Sequence, residues 1–208
     1  EGYARRVYGL TTSMIAVPSL VLGSVAVRPI ELAQAYSIFQ HEGSRVKPYG
    51  MRRILDSSGN VVRTFDPKVT RSLMSSASAE DMDYCLRKVV QGGTGSYASS
   101  VRRARGKTGT TNDNRDAWFI GYTDNYLAVS WVANEQFDRE HRVWVYKPMS
   151  NYVMGGKVPI LMWRDVMKEC QDLFGEPEVK PDPLDREKER EAYVTDDGEG
   201  SARLTHEM

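Results

Sequence analysis

Apolar side chains recur at three- and four-residue spacing in three stretches of the chain, each bounded by residues that start or stop helices. In the first, Ile30, Ala33, Tyr36 and Phe39 fall on one side, with Pro29 suited to the opening turn and Gly43 to the exit. In the second, Ser78 and Asp81 read as a capping box ahead of Met82, Cys85, Leu86, Val89 and Val90, and Gly92 and Gly93 end the run. The third opens at Pro159 and carries Trp163, Val166, Met167, Cys170, Leu173 and Phe174 as far as Gly175 and Pro177. Three amphipathic helices are predicted, each with a stripe that must be covered.

Between the second and third helices, residues 105–111, 117–122 and 126–133 read as strands separated by Asn/Asp turns, which predicts an antiparallel meander. The middle strand is apolar on both faces, so helices are expected on both sides of the sheet. Residues 51–55 and 61–65 predict a hairpin across the Asp, Ser, Gly and Asn of 56–60, residues 142–146 a further short strand, and residues 3–10 the end of a helix. The fold class is α+β, an α/β sandwich with an antiparallel sheet flanked by helices.

Charge divides the chain. Of 28 Lys/Arg and 28 Asp/Glu, residues 176–208 hold 5 and 11, leaving residues 1–175 with a net +6 and the tail with −6. The tail is rich in Pro, Glu and Asp and poor in large apolar side chains, so residues 1–175 are expected to fold and 176–208 to stay disordered. The arginines of the folded part are scattered without aromatic interleaving, which argues against a nucleic-acid surface. The longest apolar run, residues 14–22, is too short to span a bilayer and is broken by Pro18, and no signal-peptide pattern is present. Cys85 and Cys170 lack metal spacing and are expected as buried free thiols; with His41, His141 and His206 scattered, no metal or cofactor is implied.

The chemistry concentrates at Lys107, Thr108, Gly109 and Thr110, where one ammonium and two hydroxyls surround a residue without a side chain. That set suits an anion such as a terminal carboxylate, with room for close backbone approach at Gly109. In an extended segment the two threonines share one face and Lys107 the other. A phosphate loop is the rival reading, since Gly106, Lys107 and Thr108 match the tail of G-x-x-x-x-G-K-[ST], but position 101 is Val and turn formers follow where a helix is needed.

The surrounding residues resemble the penicillin-binding proteins and serine β-lactamases, in which Lys-Thr-Gly accompanies an S-x-x-K nucleophile. Pro18, Ser19, Leu20, Leu22 and Gly23, then Pro29, Glu31, Ala33, Ala35 and Tyr36, resemble a stretch of the class A, bifunctional members. Gly92 to Gly95 resemble the loop before their Lys-Thr-Gly strand, and Asp116, Trp118, Phe119 and Gly121 the strand after it. The resemblance implies a peptidoglycan D,D-transpeptidase on the extracytoplasmic face of the bacterial inner membrane. An upstream serine would attack the D-Ala-D-Ala end of a stem peptide, and β-lactam antibiotics would trap it. Lys107 would supply positive potential near the nucleophile, Thr108 and Thr110 would bind the substrate carboxylate, and the Thr110 N–H would form half of an oxyanion hole, with Gly109 admitting the peptide as an added strand. Lys107 and Thr110 are thus the implied catalytic residues, and Lys107, Thr108, Gly109 and Thr110 the substrate-binding set.

The nucleophile itself is not legible. Ser44 to Lys47 spell S-x-x-K, but Gly43 and Pro48 flank them and argue for a loop; Ser58 to Asn60 spell S-x-N inside the predicted hairpin turn. By the resemblance both motifs lie upstream of Glu1, together with two strands of the sheet, a glycosyltransferase domain and any membrane attachment. The chain is therefore expected to be the carboxyl-terminal part of a transpeptidase domain, its fold incomplete at the amino terminus. A noncatalytic peptide- or partner-binding module is the alternative. Trp118 is expected in the core, Asp116 as a turn cap, and Arg102, Arg103 and Arg105 as charges that discourage edge pairing.

Overall fold

A computed structural model describes residues 1–175, of which Glu1–Phe174 form one unit; the acidic segment 176–208 lies outside the described residues. The three predicted helices form as α1 (Pro29–Gln40), α2 (Ser76–Gly92) and α3 (Val158–Phe174). Among the described residues nine strands lie between them, four after α1 and five after α2: β1 (Arg45–Lys47), β2 (Arg53–Leu55), β3 (Val61–Thr64), β4 (Lys68–Thr70), β5 (Arg105–Thr110), β6 (Asp116–Tyr122), β7 (Leu127–Ala133), β8 (Glu135–Asp138) and β9 (Val143–Tyr146). The central sheet is the expected antiparallel meander, in the order β5-β6-β7. The predicted hairpin is β2–β3, its turn held by the Asp56 carboxylate, which accepts the N–H groups of Ser58 and Asn60 at 2.9 Å each. β8 and β9 form a second hairpin, and β1 pairs with β4. Residues Ala4–Tyr8 make a single π-helical turn ended by Gly9 in the left-handed region, and Pro18–Leu22 a 3-10 turn.

β6 explains why the sheet needs two covers. Phe119 turns one way and meets Trp163 of α3 edge to face, ring centroids 5.0 Å apart, within a cluster that includes Val101, Ile160 and Met167. Tyr122 turns the other way, into Ile38 and Phe39 of α1 and Leu86 of α2. Each such fully buried ring contributes on the order of 2–3 kcal/mol by removing apolar area from water. Trp163 completes its burial by donating its indole N–H to the Gly121 carbonyl, 3.2 Å away.

The stripes on the helices are narrower than the spacing predicts. On α1 the buried positions include Glu31, Ala35, Ile38 and Phe39, and Ile30 is 56% exposed. α2 starts a turn earlier than Ser78: Ser75 is the N-cap, its hydroxyl accepting the Ser78 N–H at 3.1 Å, and Met82 faces outward. On α3, Ile160, Trp163 and Met167 carry the core, while Val166, Leu173 and Phe174 are exposed. The thiols are free, but Cys85 is exposed and Cys170 half-buried, not buried as expected, because the covered stripe of α2 runs through Ala79, Leu86 and Val90.

Glu31 has a reason to be inside. At the third position of α1 its carboxylate accepts the N–H of Arg28 at the helix start, the N–H groups of Thr11 and Thr12 at 2.7 and 3.0 Å, both threonine hydroxyls and an Arg28 guanidinium N–H at 3.0 Å. The Arg28 hydrogen bond, against the opposing effect of burial and helped by those of Thr11 and Thr12, holds its pKa far below the ordinary 4.5. A carboxylate depressed in this way stabilises the fold above its ordinary pKa and loses that contribution as pH falls toward the folded-state value. Glu31→Gln is therefore expected to cost about 2 kcal/mol at neutral pH. The gap from wild type should narrow below pH 4.5. Thermal unfolding at pH 7 and at pH 3 checks this, and a pH-independent gap would show that shape, not charge, is at stake.

Candidate functional site: the Lys-Thr-Gly edge strand

β5 pairs with β6 on one side only; among the described residues no strand covers its other edge. The register sets Lys107 opposite Ile120, Gly109 opposite Trp118 and Thr110 opposite Ala117. Arg105, Lys107 and Gly109 consequently share the face of Trp118 and Tyr122, and Thr108 and Thr110 the face of Phe119, as the alternation of an extended segment requires. Because Thr111 donates its N–H to the Asp116 carbonyl at 3.2 Å, alternation aims the N–H and C=O of Thr108 and Thr110 away from β6, at the open edge. Lys107 is exposed and lays its ammonium Nζ 3.0 Å from the Thr108 carbonyl. Cation and outward backbone amides thus meet along one edge.

The threonine hydroxyls are held from the other side. Thr108 Oγ1 lies 2.8 Å from Thr94 Oγ1, and Thr110 Oγ1 accepts the Gly155 N–H at 3.0 Å. Sequence reasoning placed Thr94 in the glycine-rich loop but assigned it no role, and it overlooked Gly155. A Cβ on Gly155 would sit 2.5 Å from the carbonyl oxygens of both Gly109 and Trp118, so only glycine lets this loop lie against the strand pair. The Gly155-Gly156 dipeptide just before a helix was the available signal.

Several sequence expectations shift here. Trp118 is half-buried on the Lys107 face, its ring 5.5 Å from that of Trp131, because Gly109 opposite it leaves its ring uncovered. The Asp116 carboxylate caps no turn; it accepts the Trp131 indole N–H at 3.3 Å, and the turn is closed instead by the Thr111 hydroxyl, which accepts the Asp116 N–H. Arg105 is not an edge charge but is 5% exposed. Its Nε reaches Asp83 at 2.8 Å and its Nη1 reaches Asp124 at 2.9 Å, while Tyr122 donates its hydroxyl to Asp83 at 3.0 Å and Arg87 and Arg103 flank the two carboxylates. Burial works against the Arg105 charge, but the two aspartates outweigh it and raise its pKa. Burial, followed by the Asp83 charge, likewise pushes the Tyr122 phenol well above 10.0.

The decoys resolve structurally. Ser44 to Lys47 do not form the expected loop: Arg45–Lys47 are strand β1, so Ser44 and Lys47 are not one helical turn apart. Ser58 is a turn residue, as read. Lys107 is followed by extended residues to Thr110, so the helix start required by a phosphate loop is not formed.

Comparison with known proteins agrees with this geometry. Residues 8–147 match the family described as the penicillin binding protein transpeptidase domain. Penicillin-binding protein 1A of Aquifex aeolicus is 33% identical over 157 residues, 75% of this chain and 20% of that protein. Penicillin-binding protein 1A of Neisseria lactamica is 33% identical over 175 residues, 81% of this chain and 21% of its own length. The chain therefore spans about one fifth of these curated relatives. Among solved structures, penicillin-binding protein 1A from Haemophilus influenzae superposes with a TM-score of 0.71 at 22% identity, covering 86% of this chain and 31% of that one, which shows the same helix-flanked antiparallel fold. The chain belongs to the penicillin-binding protein transpeptidase domain family.

Proposed function

We propose that β5 is the substrate-binding edge of a serine D,D-transpeptidase that cross-links peptidoglycan, and that residues 1–175 are the carboxyl-terminal portion of its catalytic domain. The observation that carries this reading is the convergence of the Lys107 ammonium and the outward N–H of Thr110 on one uncovered strand edge. A stem peptide ending in D-Ala-D-Ala would add to this edge as a strand, its carboxylate within reach of Lys107 and of the Thr108 and Thr110 hydroxyls. The Thr110 hydroxyl keeps a proton to donate, since its Oγ1 already accepts from Gly155, which leaves its hydrogen free for the anion.

The nucleophilic serine is proposed to lie upstream of Glu1. Its Oγ forms a bond to the penultimate carbonyl carbon, charge collects on the carbonyl oxygen, and the Thr110 N–H, aimed at the open edge, stabilises that oxyanion with the serine's own N–H. Terminal D-alanine leaves with a proton, and an amine of a neighbouring stem peptide resolves the acyl-enzyme. Related structures support β-lactam capture by this fold, including PonA1 of Mycobacterium tuberculosis in complex with penicillin V, TM-score 0.60. The likeness to penicillin-binding proteins 1A and 1B supports placing the complete protein in the bacterial cell envelope.

The test is to label the complete protein with a fluorescent penicillin and map the adduct by mass spectrometry. One adduct is expected, on a serine of an upstream helical S-x-x-K. An adduct on Ser44, or none at all, overturns the proposal, and the latter outcome favours a noncatalytic module that holds peptides on the same edge.

A further inference from the structure

We propose that this domain carries a second anion site, a basic cleft that shares no residue with the Lys107 edge and takes a phosphate-bearing ligand. The cleft, about 450 Å³, lies between the turn Ala4–Tyr8, α1 and the β1–β4 ribbon, and is lined by Arg5, Thr11, Gln34, Arg45, Lys47 and Thr70.

The ribbon supplies the first reason. Its register sets Arg45 opposite Thr70 and Lys47 opposite Lys68, so all four residues share one face and Lys68, beside the lining, is the direct cross-strand neighbour of Lys47. Like charges placed opposite one another destabilise a ladder, and no carboxylate relieves them: Arg45, Lys47 and Lys68 form no ion pair among the described residues. The fourth cation, Arg5, is paired among the described residues with exposed Glu1, at 3.0 Å. A cluster of this kind is completed by an anion from solution.

The second reason is that its central cation is already positioned. Arg45 Nη1 donates to the carbonyls of Arg6 and Val7 at 2.9 and 2.7 Å, fixing the guanidinium while its Nε and Nη2 make no hydrogen bond among the described residues. Gly9, at φ 72°, allows that approach, since a Cβ there would lie 2.7 Å from Nη1. Gln34 pins the same wall by donating to the Gly9 carbonyl at 3.1 Å. A fixed guanidinium fork beside exposed lysines matches a phosphate, whose oxygens accept from the fork while its second negative charge answers one of the lysines; a carboxylate would leave both ammonium groups unneutralised.

Two sources offer this chemistry, a soluble phosphate ester and a phospholipid headgroup. Calorimetric titration of the complete protein with inorganic phosphate and pyrophosphate, at ionic strength fixed with chloride, is expected to show saturable binding. Lys47→Gln and Lys68→Gln, whose side chains hold nothing else in place, should each weaken it at least tenfold and leave penicillin acylation unchanged. In chloride alone, Lys47→Gln should melt higher than wild type, because a like-charge pair is gone, yet lose the upward shift that phosphate gives the native protein. Flotation with phosphatidylglycerol but not phosphatidylcholine vesicles, abolished by Lys47→Gln, would assign the site to lipid; phosphate binding without flotation would assign it to a soluble ester. A phosphate response no larger than that of chloride, or lysine variants that bind as wild type does, overturns the site without touching the transpeptidase reading.

Discussion

Replacing Lys107 with alanine in the complete protein is expected to slow acylation by a fluorescent penicillin about 30-fold or more, the rate equivalent of roughly 2 kcal/mol of lost transition-state stabilisation. The expectation rests on how little else Lys107 does. It is exposed, and its only described bond is to the carbonyl of its own neighbour, Thr108, so truncation should leave stability within about 0.5 kcal/mol. What is removed is the only positive charge that the described strand presents at its open edge, since Arg105 is buried in an ion network. Lys107→Arg should recover only part of the rate, because a planar fork cannot occupy the position of a compact ammonium over the Thr108 carbonyl. Stopped-flow labelling of wild type and both variants, with a melting curve for each, measures this; wild-type acylation in a folded Lys107→Ala protein would remove Lys107 from the mechanism.

Why the strand was legible and its supports were not follows from the range of the interactions. Alternation and Asn/Asp turns are local, so β5, β6 and β7 and the faces of Lys107 and Thr108 could be read from spacing alone. The fit of Lys107 to an anion was equally local, four adjacent residues. The supports are long-range: Thr94 meets Thr108 across 14 positions, Gly155 meets Thr110 across 45, and Gln40 donates to the Thr123 carbonyl across 83. No periodicity encodes such pairs. The misread helix faces have a related cause. A three-four pattern finds the apolar side of α3, but Val166, Leu173 and Phe174 lie beyond what β6 and β7 cover, and Ile30 lost its place inside α1 to a charged neighbour. Arg105 was read as an edge charge and the burial of Glu31 was not foreseen, because burial of a charge depends on partners, and Thr11 and Thr12 in one case and Asp83 and Asp124 in the other sit 19 to 22 residues away.

Arg105 carries the largest expected effect on stability. Its guanidinium joins three segments: α2 through Asp83, the β6–β7 turn through Asp124, and the turn that leads into β5 through the Arg103 carbonyl, 2.6 Å from Nη1. Arg103 reaches that position with φ at 56°, a left-handed backbone that the network must hold in place. Arg105→Met keeps most of the apolar stem but removes the cation that two partly buried carboxylates share, leaving Asp83 to Arg87 and Asp124 to Arg103, while the Tyr122 hydroxyl that also donates to Asp83 adds no charge. The cost of removing that shared cation is about 3 kcal/mol, reduced from the fully buried case because both aspartate side chains remain 23% exposed and each keeps one arginine. Arg105→Lys should recover less than half of it, since one ammonium cannot span Asp83 and Asp124 together. Hydrogen exchange in the complete protein resolves the loss: the amides of β5 and β6 should lose protection by about two powers of ten, the rate equivalent of that energy, while α3 amides change less. Lys107 lies two residues along the same face from Arg105, so the loosened strand should also acylate more slowly without any change in the chemistry at Lys107. Full protection of β5 in Arg105→Met would mean that the sheet and the Phe119–Trp163 core alone fix the strand.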